Sequence, residues 1–63
     1  MIEVGQTVKV MSHAYTSYHC GRKSQYDIGD EFVVQEISYD EKKGYIISDD
    51  DYNFLHIKDL KVI

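Results

Sequence analysis

Residues 31 to 39, Glu-Phe-Val-Val-Gln-Glu-Ile-Ser-Tyr, form the longest strand-like run in the chain, and their apolar positions change parity partway along. Successive side chains of a strand point to opposite faces, so Phe32 and Val34 share a face that Ile37 does not. A strand that buries all three needs a bulge or a sharp bend near Gln35. Bends of this kind let a small sheet curl until its edges meet, which points to an all-β, barrel-like fold. Length sharpens the constraint. With 63 residues the chain is expected to form a single domain, 1–63, near the lower limit for folding on a hydrophobic core alone. Its one cysteine, Cys20, has no partner for an internal disulfide.

The remaining segments fit the same architecture. Residues 6 to 11, Gln-Thr-Val-Lys-Val-Met, alternate polar and apolar and read as a half-buried strand with Val8 and Val10 inward. Asp40-Glu41-Lys42-Lys43-Gly44 reads as a hairpin turn, followed by a returning strand Tyr45-Ile46-Ile47-Ser48. Asp49-Asp50-Asp51 forms a second tight turn before Tyr52-Asn53-Phe54-Leu55-His56-Ile57. Lys58 to Ile63 accommodates one short helical turn, which carries Leu60 into the core, and a last strand. No segment has the periodicity of an amphipathic helix of about ten residues or more. Proline is absent, so the turns fall to glycine and to the Asp, Asn and Ser clusters.

Taken together, Gly5-Gln6-Thr7-Val8-Lys9-Val10, a long connection, Ile28-Gly29-Asp30-Glu31-Phe32-Val33-Val34, Gly44-Tyr45-Ile46-Ile47-Ser48-Asp49 and His56 to Ile63 resemble the small SH3-like barrel proteins encoded by phages and bacteria. The resemblance covers nearly the whole chain. It implies a five-stranded SH3-like barrel with a long RT-type loop between the first two strands and one short helical turn before the last. It also implies a non-catalytic binding module and, for a phage-encoded protein, one that binds and modulates a host protein in the host cytoplasm. Proline-rich peptide recognition is not expected, because the chain has no Trp and no Ala-Leu-Tyr-Asp-Tyr-like run after its first strand.

Charge limits the choice of partner. Eleven acids against seven bases give a net charge of -4, which disfavours non-specific attraction to nucleic acid. The opening Met-Ile-Glu-Val-Gly has neither the basic start of a signal peptide nor the apolar length of a membrane span, so a soluble protein is expected. A lone thiol suits a reducing, cytoplasmic compartment.

The most unusual chemistry lies in Ser12 to Asp27, Ser-His-Ala-Tyr-Thr-Ser-Tyr-His-Cys-Gly-Arg-Lys-Ser-Gln-Tyr-Asp. His13, His19 and Cys20, with His56 approaching from a distant strand, offer zinc-type donors. Their spacing lacks a Cys-x-x-Cys or paired-His pattern, so no metal or other cofactor is expected. Catalysis by Cys20 with His13 or His19 as base would need a substrate pocket that so small a barrel has little room for, and an enzyme is not expected. Asp49 to Asp51 lacks the alternate spacing of a calcium loop and reads as a solvated turn. The acidic rim of Asp40, Glu41 and Asp49 to Asp51 is a secondary interface candidate, interrupted by Lys42 and Lys43. Tyr15, Tyr18, His19, Arg22 and Lys23 combine amphipathic contact area with local positive charge and form the expected partner-binding set. Tyr26, beside Asp27-Ile28, is expected to pin the loop to the barrel. A protein partner is the leading expectation, and a nucleic-acid-binding barrel using the Tyr, Arg and Lys of this loop is the alternative. Monomer and weak homo-oligomer, the latter through an exposed strand edge, both remain open.

Overall fold

The computed structural model describes residues 2–19 and 25–63. Strands dominate, in two antiparallel three-stranded sheets. The elements in chain order are β1 (Thr7–Val10), a short helix α1 (Ala14–His19), β2 (Glu31–Val33), β3 (Glu36–Asp40), β4 (Gly44–Ser48), β5 (Phe54–His56), a 3-10 turn (Ile57–Asp59) and β6 (Leu60–Val62). The first sheet has the order β2-β1-β6 and the second β3-β4-β5. The fold is therefore all-β, and the hydrogen-bonded ladders of the described residues form two sheets rather than one closed barrel.

The parity change in residues 31 to 39 is where one sheet passes the chain to the other. Val34 donates its N–H to Gln6 O and its carbonyl accepts from Gly5 N, both in the first half of the fold, whereas Gln35 N donates to Ser48 O at the end of β4. A single strand expected over this run is thus two, β2 and β3, joined at a corner, and six strands result. The corner lets Phe32 and Val34 reach the core from one sheet while Ile37 packs against it from the other.

The core lies between the sheets and consists of Ile2, Val8, Val10, Phe32, Val34, Ile47 and Leu55, with Tyr26, Ile37, Ile57 and Leu60 packed around it. Register explains who meets whom. Val8 lies opposite Phe32 and Val10 opposite Leu60, and in the second sheet Ile37, Ile47 and Leu55 lie side by side. Fully burying a side chain of this size contributes about 1.5–3 kcal/mol. With so few of them, the polar contacts that hold the long β1–β2 connection acquire weight.

The turns behave as the sequence predicts. Gly44 closes the β3–β4 hairpin at φ 90°, a conformation that costs an L-residue with a Cβ dearly. Asp40 accepts hydrogen bonds from Lys42 N (2.8 Å) and Lys43 N (3.1 Å) within the same turn. The β4–β5 turn is less relaxed, because Tyr52 sits at φ 62°. No helix among the described residues is long and apolar enough to cross a membrane.

Candidate functional site

The connection after β1 is not an irregular loop at its start. Six residues, Ala14–His19, form a helix that a sequence lacking a local capping acid would not predict. The capping group comes from far along the chain. Asp59, fully buried in the 3-10 turn, accepts from Thr16 N (2.6 Å), from Tyr15 N (3.3 Å) and from the Ser12 hydroxyl. The two amides belong to the first helical turn, where N–H groups have no partner within the helix. Burial pushes the Asp59 carboxyl upward, but the hydrogen bonds from Ser12, Thr16 and Tyr15 outweigh it and hold the group below the usual carboxylate range. Thr16, also fully buried, accepts from His56 N at 3.0 Å, so α1 is fastened to β5 as well.

The far end of the connection is fastened to the other turn. Tyr26 stacks on Phe32 with ring centroids 4.7 Å apart and donates its hydroxyl to Asp49. Burial, the Asp49 hydrogen bond and the Asp49–Asp51 charges all push the Tyr26 phenol well above its ordinary value. Asp49 also accepts from Asn53 N (2.9 Å), Asn53 Nδ2 (2.9 Å) and Asp51 N (3.0 Å), and these bonds, opposing its burial, leave its carboxyl below the usual range. Gln25 N donates to Asn53 Oδ1 at 3.2 Å. Tyr26 therefore has the pinning role expected of it.

Between α1, the β3–β4 turn and the 3-10 turn lies an open groove of about 370 Å³, lined by Tyr15, residues 41 to 45, His56, Ile57 and Lys58. His56 sets its geometry. Its imidazole is buried, with Nε2 2.5 Å from Lys43 O and Nδ1 accepting from Lys58 N at 3.1 Å. That pattern requires the proton on Nε2, the tautomer that donates to the carbonyl and leaves Nδ1 as acceptor. One ring thus joins the two segments that carry Lys43 and Lys58. Tyr15 packs on the same imidazole, centroids 5.3 Å apart, and Lys58 Nζ lies 5.1 Å from the centre of the Tyr15 ring, a cation–π distance. At the edge of the groove Tyr45 meets its cross-strand partner Tyr39 edge to face at 4.9 Å, which extends the aromatic surface.

Among the expected site residues, Tyr15 stands 40% exposed in this groove. His13 is half-buried just before α1. Cys20, Arg22 and Lys23 lie outside the described residues, as do the side chains of Tyr18 and His19. His56 has both ring nitrogens engaged by backbone groups, which removes it from the zinc-type set as it stands. Asp49, Asp50 and Asp51 bring carboxylate oxygens within 4.8 Å of one another, but Asp49 is occupied by Tyr26, Asn53 and Asp51. Among the described residues no buried side-chain nitrogen or oxygen lacks a hydrogen-bond partner.

Lys42, Lys43, Tyr45 and Lys58 were not expected in a site. Lys42-Lys43 reads in sequence as an interruption of an acidic rim, and nothing local relates it to Lys58. The signal that existed was a histidine two residues before a lysine, meaningful only once His56 is seen to reach back to Lys43. Comparison of the chain with protein-family models, curated proteins and solved structures finds no match.

Proposed function

We propose that this chain is a non-catalytic protein-interaction module built on a small SH3-like barrel, and that it meets its partner where the 12–27 connection borders the groove. The observation that carries this reading is Tyr15: an exposed aromatic ring held in place from below by His56 and from the side by Lys58, on a helix anchored by Asp59. A preorganised amphipathic ring of this kind gives contact area with little ordering entropy left to lose on binding. The SH3-like reading is supported by the corner at Val34–Gln35 and by the 3-10 turn directly before β6. The absence of a catalytic role is supported by the way Asp59, Asp49 and His56 spend their polar atoms on backbone and hydroxyl groups of the fold. In the form suggested by the resemblance to phage-encoded proteins, the partner is a host protein.

Capture experiments from a bacterial lysate test this reading. The wild-type chain retains a protein that the Tyr15→Ala, Tyr18→Ala, Arg22→Ala triple variant releases. Unchanged retention by a folded triple variant would remove the reading. A second reading, a nucleic-acid-binding barrel, draws on the proximity of three lysines to Tyr15 and Tyr45. It requires salt-dependent binding to an oligonucleotide, and no binding at low salt would dismiss it.

A further inference from the structure

The groove differs in charge from the rest of the molecule. It is lined by three of the chain's seven basic residues, Lys42, Lys43 and Lys58, and by only one of its eleven acids, Glu41. All three lysines are exposed, yet their backbones are fixed. Lys42 N and Lys43 N are bonded to Asp40, and Lys43 O and Lys58 N to the two nitrogens of His56. The three stems therefore leave the chain at fixed points of the groove that Tyr15 also lines, and the Lys58 ammonium lies against the Tyr15 ring.

We infer that the groove takes an extended acidic segment of a protein partner, whose carboxylates pair with Lys42, Lys43 and Lys58 while an apolar or aromatic side chain of the segment packs on Tyr15. This rests on the binding-module reading and adds the chemistry of the partner. Charge complementarity selects an anionic occupant. The scale of the patch selects peptide over nucleic acid: affinity for a nucleic acid strand grows with the number of phosphates neutralised, and a strand running past three lysines meets a molecule of net charge -4. A peptide can end its acidic run where the groove ends.

The test uses the full chain and three fluorescein-labelled probes of similar length, read by anisotropy: a Glu-Leu repeat peptide, a Lys-Leu repeat peptide and oligothymidylate. The Glu-Leu peptide is expected to bind, more weakly as salt is raised, with the Lys peptide showing no saturable binding. Lys42→Ala with Lys43→Ala weakens binding by roughly three- to tenfold and Lys58→Ala by roughly two- to fivefold, as loss of two and of one partly solvated ion pair predicts. Lys9→Ala with Lys61→Ala, a cross-strand pair in the first sheet, leaves it unchanged. Circular dichroism confirms that each variant folds. The inference is overturned if the Glu-Leu peptide does not bind at low salt, if binding ignores the groove lysines, or if oligothymidylate binds more tightly through the same lysines. If the acidic peptide fails while lysate capture still depends on Tyr15, the charge selection is wrong and the module stands. If both fail, the module reading falls as well.

Discussion

Replacing Asp59 by Asn isolates what the buried carboxylate contributes. The substitution keeps shape and volume but turns one acceptor oxygen into an NH2 donor. In the fold one Asp59 oxygen accepts from Thr16 N, and the other accepts from Ser12 and Tyr15 N. An Asn amide placed either way faces at least one of these donors with another donor. A buried donor left without an acceptor costs about 1–3 kcal/mol, and the remaining bonds lose the charge that strengthens them. A total of about 2–3 kcal/mol is expected. In a domain of this size each kcal/mol moves the midpoint by about 4–8 °C, so thermal unfolding followed by circular dichroism should show a fall of roughly 8–24 °C. Acid titration gives an independent reading. The folded-state carboxyl lies below its ordinary value, so the stabilisation is complete above that value, near 4, and is lost as pH falls and the unfolded chain takes up the proton first. The wild type should lose stability more steeply than Asp59→Asn below about pH 4. A variant within about 0.5 kcal/mol of wild type, or one with the same acid slope, would show that Asp59 does not organise α1.

Tyr26→Phe removes the hydroxyl bonded to Asp49 but keeps the ring stacked on Phe32; urea unfolding should show a loss of about 1 kcal/mol, reduced from the value for a fully buried charged bond by solvent screening. Asp49 contributes acid sensitivity of the same sign as Asp59, and in Tyr26→Phe the acid slope should be shallower because one of the bonds holding its carboxyl low is gone. Tyr52→Asn should stabilise the fold by about 0.5–1 kcal/mol in the same assay, since the exposed ring packs on little and Asn tolerates the positive φ better than Tyr. Gly44→Ala should cost about 1–2 kcal/mol through its φ of 90°, while its Cβ, 3.6 Å from His56 Nε2, makes only ordinary contact; a neutral result would show that the hairpin turn relaxes.

What could be read from the sequence is what depends on neighbours in the chain. Val8 and Val10 on one face, the 40–44 hairpin and the turn before β6 are local patterns of parity, glycine and Asp. The parity change at Gln35 carries the most information, because a regular strand cannot turn Phe32, Val34 and Ile37 to the same side of one sheet, and the chain resolves the conflict by changing sheets. The helix at Ala14–His19 was invisible for the opposite reason. Its capping carboxylate is 43 residues away, and no window of sequence contains both. The site moved likewise. His13, His19 and Cys20 are reactive residue types close in sequence, whereas the groove is built from three segments that His56 and Asp59 join from far along the chain.

The buried polar groups give this division a physical logic. A chain this short, with no internal disulfide, must hold the long connection between β1 and β2 against its conformational entropy by other means. It does so at two points: Asp59 and His56 hold the start at Ser12, Tyr15 and Thr16, and Asp49 and Asn53 hold the end at Gln25 and Tyr26. All four holding residues lie in the second half of the chain, in or beside the turns flanking β5. The β4–β5 turn, with Tyr52 in a strained conformation, is therefore part of the same fastening as the proposed binding surface, and a change there reaches the connection through Tyr26 rather than through residues that line the groove. Lysine substitutions do the reverse: they alter what the groove attracts and leave every fastening bond in place. Binding and stability should consequently separate in mutants, with Lys42 and Lys43 moving affinity alone, Asp49 and Tyr26 moving mainly stability, and His56, whose ring packs on Tyr15 and joins the two lysine-bearing segments, moving both.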